Sequence, residues 1–404
     1  MNIGIVSTWF ERGAAYVSRQ YIDALKSDIN NKVFVYARGG EAYAKKNAVW
    51  DNDSVTWGKI SKKYYYGTTG IDKNDFIRWI KKRNIDVILF NEQNWWEPVL
   101  WCKDLGVIAG TYIDYYTEIT VPFFKIYDFI ICNTKRHYSL FKDIPQSYYV
   151  RWGTDIELFR FEEKEEENSK EIVFFHSSGM NPLRKGTDSV IQAFEHIFDY
   201  KSKLIIHTQV KLSDFFEKKI CDIAINHPQI TIINETITAP GLYSKGDVYV
   251  YPSILDGVGL TVVEALSCGL PCIVSNNAPM NEFIQNNENG KLIDIEYLYA
   301  RSDGYFWPQC KISLQSLEKN MQFYLQNRNH LKEYRKQARL SAEKNFNWKE
   351  RYPLICSIFK GVKSKPIDVD LKEKILYYEK NNNGKYNIVP YAFYYWKKWK
   401  TRLI

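Results

Sequence analysis

Short apolar runs recur along the chain, each followed by a polar or glycine-containing turn and then by an amphipathic stretch. Runs at 2–8, 33–37, 86–91, 107–113, 128–133 and 147–152 read as strands, with helices expected from about Tyr16, over 76–83 and over 136–141. Residues 41–70, rich in polar and aromatic side chains, read as an irregular insert. A second series follows at 171–176, 203–207, 229–233, 249–251, 272–275 and 290–293, with helices expected over 187–198, near Leu260, from 278, over 313–326 and over 331–359. Strands alternating with helices at this spacing predict a parallel sheet covered on both faces, twice over. Between the two series, residues 162–170 are charged and almost free of apolar side chains, as a surface linker would be. The expected domains are therefore 1–160 and 171–344.

The richest stretch runs from Tyr249 to Ser275. It reads as a strand broken at Pro252, a loop Asp256-Gly257-Val258-Gly259, a helix from Leu260, and an exit through Gly269 and Pro271 into the next strand. Loop residues between a strand's carboxyl end and a helix's amino end meet unpaired amides and a favourable dipole, which suit a phosphate or a sugar hydroxyl. Gly257 and Gly259 allow the backbone to approach a ligand closely. Glu264 interrupts the apolar run 260–266, and a carboxylate on such a face has to find a partner. The alternative is that Asp256 caps the helix and Glu264 is solvated.

A basic loop bracketed by glycines, Gly179 to Gly186, carries Arg184 and Lys185 at the start of another helix. Two cations there suit a pyrophosphate, although a solvated charged pair has the same spacing. His176 ends the preceding strand and is either a ligand contact or a hydrogen-bonded core histidine. In the first series, Gly13 follows the first strand, where it is a ligand approach point or a simple turn glycine. Asn91, Glu92, Gln93 and Trp95 crowd the end of the third strand, and Asp114 follows the fourth; these are the candidate acceptor-side residues.

Composition narrows the partners. A chain of 404 residues exceeds one ordinary core, and its 45% hydrophobic content can fill two. The formal charge of +8 is spread rather than gathered in basic arms, so nucleic acid is not expected. Seven cysteines, an odd number without Cys-x-x-Cys pairs, point to a reducing, cytoplasmic setting. No apolar stretch reaches the roughly 18 residues of a membrane span, and the N-terminus reads as a strand rather than a signal peptide. Aromatic residues make up 16%, which suits rings packed against sugars as well as ordinary cores. Asp51-Asn-Asp53 and Asp368-Val-Asp370 have Asp-x-Asp spacing, but neither follows a buried strand, and no metal is expected. In the tail, residues 385–404 interleave rings with Lys and Arg, which suits either the inner face of an anionic membrane or a basic helix packed on the first domain.

Taken in order, these segments resemble the family 4 glycosyltransferases, retaining enzymes of the GT-B fold. The central stretch is similar to that family's Pro-Ser-x-x-Glu-Gly-Phe-Gly-Leu-x-x-x-Glu-Ala signature, with Asp256 for the first glutamate and Val258 for the phenylalanine. Arg184-Lys185-Gly186 resembles the Lys-Gly that opens the donor helix; Met180 stands where the family has an arginine, so Arg184 is the candidate stand-in. Gly153-Thr-Asp155, Asn281-Glu282 with Asn289-Gly290, and Phe346-Asn-Trp348 resemble further family passages. The resemblance implies an α/β architecture of two Rossmann-like parallel-sheet domains facing across a cleft, the first completed by the C-terminal helical segment, about 345–404. It implies a nucleotide-sugar substrate and no cofactor or metal. Glu264 would hold the ribose, Arg184 and Lys185 the diphosphate, and Asp256 with Gly257, Val258, Gly259 and Leu260 the donor sugar. Gly13 would lie near the phosphate. The acceptor would be a saccharide, lipid-linked or protein-linked glycan in cell-surface polysaccharide or glycoconjugate synthesis. Such enzymes often place a histidine in the first-domain cleft; here that strand end carries Asn91, Glu92 and Gln93, and His137 is expected on an outer helix. A catalytically silent sugar-nucleotide-binding partner, or another GT-B enzyme such as an epimerase, are the competing readings.

Overall fold

The computed structural model describes residues 1–38, 44–59, 70–112, 115–163, 171–197 and 199–383. Most of the charged run at 162–170, Asp114 and the tail 385–404 lie outside the described residues. Two compact units divide the chain: one holds 1–132, 141–148 and the stretch from 352, the other 133–140 and 149–351. This differs from a boundary near 160, because residues 133–140 and the stretch from 149 go with the second unit.

The first unit follows the order β1 (Asn2–Ser7), α1 (Gly13–Lys26), β2 (Lys32–Ala37), β3 (Val55–Trp57), α2 (Lys73–Arg83), β4 (Val87–Asn91), α3 (Glu97–Asp104), β5 (Ile108–Tyr112), β6 (Phe129–Cys132) and β7 (Ser147–Tyr149), while the intervening helix α4 (Lys135–Phe141) goes, up to Leu140, with the second unit. Its sheet has the order β3-β2-β1-β4-β5-β6-β7. Strands β1 to β6 pair in parallel. Their apolar residues are buried on both faces, as a sheet sandwiched by helices requires. Strand order reverses between β1 and β4, so the segments after them meet at one carboxyl edge.

The second unit runs β8 (Ile172–Gly179), α5 (Thr187–His196), β9 (Ser202–Thr208), α6 (Lys218–Asn226), β10 (Ile230–Asn234), β11 (Val248–Tyr251), α7 (Leu260–Ser267), β12 (Cys272–Ser275), β13 (Gly290–Ile293), β14 (Ile295–Tyr299), β15 (Gln309–Ile312), α8 (Leu314–Gln326) and α9 (Leu331–Asn345). Its sheet has the order β10-β9-β8-β11-β12-β13, again parallel. Reversal now falls between β8 and β11, which places the segments 179–186 and 252–259 side by side. Phe174, Val190, Phe194, Ile206, Val250 and Ile273 anchor the core below them.

The first unit closes with α10 (Tyr352–Gly361) and α11 (Val369–Tyr378). Phe359 of α10 meets Phe129 of β6 at 4.9 Å between ring centres. Asp128 is fully buried there: it pairs with Lys103 and accepts from the amides of Ala109 (2.9 Å) and Lys365 (2.7 Å).

Several expectations need correction. The insert at 41–70 contains β3. Helix α3 was not expected after the tryptophans; Pro98 in its first turn pre-sets the backbone there. The single helix expected over 331–359 breaks after Asn345, because its backbone turns to pair with Thr154: Thr154 donates to Phe346 O (2.7 Å) and Trp348 to Thr154 O (2.9 Å). The helix expected from 278 is a short 3-10 turn, Met280–Glu282. Helices α6 and α11 and the β14–β15 hairpin are also new.

Candidate functional site

Two glycines bring the site together. Gly186, at φ +67°, precedes α5, and a Cβ there would lie 2.5 Å from Pro252 O. The contact requires glycine. It lets Ile254 N donate to Arg184 O at 2.9 Å and the Ser253 hydroxyl donate to the same oxygen at 3.1 Å. Gly259, at φ +78°, ends the second segment and opens α7 at Leu260. The basic loop is thereby laid against the loop that carries Asp256.

Lys185 Nζ donates to Asp256 Oδ2 at 2.5 Å, and the Tyr251 hydroxyl contacts both groups. Arg184 Nη1 lies 3.5 Å from the same carboxylate oxygen and donates to Leu255 O at 3.0 Å. Gly259 N donates to Asp256 Oδ1 at 3.3 Å. Burial works to raise the Asp256 carboxyl, but Lys185 and Arg184 outweigh it and hold it below the usual range. Burial lowers Lys185 to about 8, with the charge of Arg184 adding to the effect.

Glu264 lies on α7 and accepts from the Tyr243 hydroxyl at 2.6 Å. Burial lifts its carboxyl to about 7, while Tyr243 and Lys185 pull the other way. Among the described residues, then, Arg184 and Lys185 face one firmly ionised carboxylate, Asp256, and Lys185 also acts on Glu264, which titrates near neutrality. Such a surplus of positive charge suits an anion.

His176 corrects one expectation. It is fully buried, its Nδ1 is 2.8 Å from Val250 O and its Nε2 2.8 Å from Thr187 Oγ1, and burial drops it to about 4. It is a core histidine that ties β8 to α5 rather than a donor contact. Gly179 ends β8 at φ +56° and accepts from Gln209 N at 2.9 Å, turning the chain into the basic loop. Met180 is exposed.

His137 is a second correction. Instead of lying on an outer helix it is 0% exposed, with Nε2 3.1 Å from Gly257 O. Its neighbour Arg136 donates to Asp256 O at 2.6 Å and Ala278 O at 2.5 Å. Glu282 caps α4 by accepting from the amides of Lys135 (2.6 Å) and Arg136 (2.8 Å). Arg136, His137, Tyr243 and Tyr251 were not found by sequence reading. Only Tyr251 stood inside a motif, beside Pro252; the others are brought in by the fold.

In the first unit Gly13 is the first residue of α1 and is exposed. Three acceptor-side candidates are spent on the framework. Asn91 donates to Ala14 O (2.8 Å) and Ser18 Oγ (2.7 Å); Gln93 donates to Trp95 O (2.8 Å) and accepts from Arg38 (2.8 Å); Trp95 is buried edge-on against Trp101. All three are buried: Asn91 lies against α1, Trp95 against α3, and Gln93 against Arg38. Glu92, at φ +52°, is partly buried, with its carboxylate 4.0 Å from Arg12. Asp51 bonds Trp57 and Lys46 N, and Asp368 caps α11. Among the described residues no group of three His, Cys, Asp or Glu side chains could hold a metal ion. No described helix is long and apolar enough to cross a membrane.

The family model "Glycosyl transferases group 1" matches residues 157–341, the stretch that holds Arg184, Lys185, Asp256 and Glu264. An uncharacterized glycosyltransferase of Methanocaldococcus jannaschii is 28% identical over 149 residues, covering 34% of this chain and 37% of that protein. An Escherichia coli UDP-Gal:alpha-D-GlcNAc-diphosphoundecaprenol alpha-1,3-galactosyltransferase is 43% identical over 56 residues, 14% of each. The matched stretches thus span well under half of these relatives. Sucrose-phosphate synthase of Thermosynechococcus elongatus superposes with TM-score 0.68 at 15% identity, over 89% of this chain and 98% of that one. Anabaena HepE in complex with UDP and glucose gives 0.67 at 14%, over 90% and 100%. The fold is that of the GT-B glycosyltransferases, and residues 157–341 are similar to the group 1 glycosyl transferase model.

Proposed function

We propose that the chain is a retaining, metal-independent hexosyltransferase that moves a sugar from a nucleotide-sugar to a saccharide, lipid-linked or protein-linked glycan acceptor in cell-surface polysaccharide or glycoconjugate synthesis. One observation carries this reading: Arg184 and Lys185 converge on Asp256 at a strand-order reversal, with Glu264 on the adjoining helix. Arriving diphosphate gives the two cations a more highly charged partner, which frees the Asp256 carboxylate for sugar hydroxyls. Glu264 holds the ribose.

Transfer breaks the bond between the anomeric carbon and the phosphate oxygen and forms one to the acceptor oxygen on the same face. The acceptor proton passes to the departing phosphate. Lys185, Arg184 and the loop amides stabilise the charge that develops on the diphosphate, so the scheme needs no divalent ion. Two relatives support a cell-surface role by name: the E. coli undecaprenol-linked galactosyltransferase and an O-antigen chain mannosyltransferase.

The test is a thermal-shift panel of UDP-, GDP-, CMP- and TDP-sugars, followed by donor hydrolysis or transfer with the sugar that shifts. Lys185→Ala is expected to lose about 100-fold in turnover. Full activity in that variant, or no shift with any sugar, overturns the reading; binding without turnover supports a silent sugar-nucleotide partner instead.

A further inference from the structure

Arg136 is 6% exposed, and its guanidinium bonds only to neutral oxygens. They are Ala278 O (2.5 Å), Asp256 O (2.6 Å), Gly257 O (3.5 Å) and the Tyr305 hydroxyl (3.4 Å). Trp307 lies under it, 5.6 Å from guanidinium carbon to ring centre. No carboxylate oxygen lies within 4.0 Å of it among the described residues. Its charge acts on the Glu282 carboxylate, which accepts from the Arg136 amide, so the guanidinium itself is left to bind the loop's carbonyls rather than a direct ion-pair partner. His137, the next residue, holds Gly257 O through Nε2; a carbonyl can only accept, so that nitrogen carries the proton.

These donors settle how the loop's peptides face. In a trans peptide the carbonyl and the following N–H point in opposite directions. With the carbonyls of Asp256 and Gly257 drawn to Arg136 and His137, the N–H groups of Gly257 and Val258 are turned away from α4. Neither amide has an acceptor among the described residues, whereas Gly259 N already meets Asp256.

We infer that Arg136 and His137 are positioning residues that, by holding the carbonyls of Asp256 and Gly257, aim the amides of Gly257 and Val258 at an anionic oxygen of the ligand. The inference rests on reading this loop as the seat of a diphosphate. It names a clamp from α4, residues that touch no ligand atom, as the part that turns a flexible glycine loop into a preorganised pair of donors. Preorganisation matters because amides already aligned pay no reorientation cost when charge develops.

Calorimetric titration of the full chain with inorganic pyrophosphate tests this. Arg136→Lys keeps the charge and loses the fork; His137→Phe keeps a ring and loses the donor; Lys185→Ala probes the diphosphate seat itself. Arg136→Lys and His137→Phe are each expected to weaken pyrophosphate about tenfold, the scale of one charge-assisted hydrogen bond. The ligand-free melting temperature is read alongside, since a purely structural role lowers it and leaves affinity unchanged. If Arg136→Lys does not fold, His137→Phe decides alone. Wild-type affinity in both clamp variants, with binding lost in Lys185→Ala, overturns the inference and leaves the diphosphate reading standing. No binding by the wild type, or full binding by Lys185→Ala, overturns both.

Discussion

Glu264 should make the protein less stable than a glutamine would, and by an amount that depends on pH. Burial raises its carboxyl from an ordinary 4.5 to about 7. That difference corresponds to about 3 kcal/mol at 1.4 kcal/mol per tenfold change in proton affinity. A raised carboxyl binds its proton more tightly in the folded state, so the folded state is favoured at low pH. This advantage is lost as pH climbs from about 4.5 through about 7. Glutamine has no proton to lose, and its amide oxygen can still accept from Tyr243. Glu264→Gln and wild type should therefore match near pH 4.5, and the variant should be the more stable by about 2–3 kcal/mol at pH 8. Urea unfolding followed by tryptophan fluorescence at pH 5, 6.5 and 8 measures the gap. The same variant should bind the preferred nucleotide more weakly at pH 8, since an amide accepts from ribose hydroxyls less strongly than a carboxylate. Stability would have been exchanged for a functional charge. A gap that stays constant across this range, or a variant less stable than wild type at pH 8, refutes the argument from burial.

Gly186→Ala should cost about 2 kcal/mol or more and abolish the thermal shift with nucleotide, because it combines a left-handed φ with a clash on Pro252 O. Gly106→Ala is the control: its φ is +72° but nothing lies within 4 Å, so it should cost about 1 kcal/mol and leave nucleotide binding intact. Lys103→Met leaves Asp128 buried with only amide donors, and unfolding measurements should show a loss of about 3–5 kcal/mol. A cost below about 1 kcal/mol would mean that the amides of Ala109 and Lys365 already satisfy that carboxylate.

Hydrophobic patterning was enough to determine two parallel sheets, since a strand buried on both faces has to read as an unbroken apolar run, and 87–91 and 248–251 do. Local chemistry was enough to single out Arg184, Lys185, Asp256 and Glu264 as candidates, since charge beside glycine at a strand-to-helix turn suits an anion and a carboxylate on an apolar helix face has to find a partner. Burial of the third strand's polar end was beyond it: Asn91, Gln93 and Trp95 look like pocket residues until Asn91 is seen against α1, Gln93 against Arg38 and Trp95 against α3. So was His176, where both readings fitted the same sequence until Val250 and Thr187 took its two nitrogens. Tertiary structure alone decided that Arg136 and His137, about 120 residues from Gly257 along the chain, hold that loop's carbonyls. The reason is physical: strand and helix periodicity is written in neighbouring residues, but which donor meets a given carbonyl depends on distant segments brought together by the burial of apolar surface.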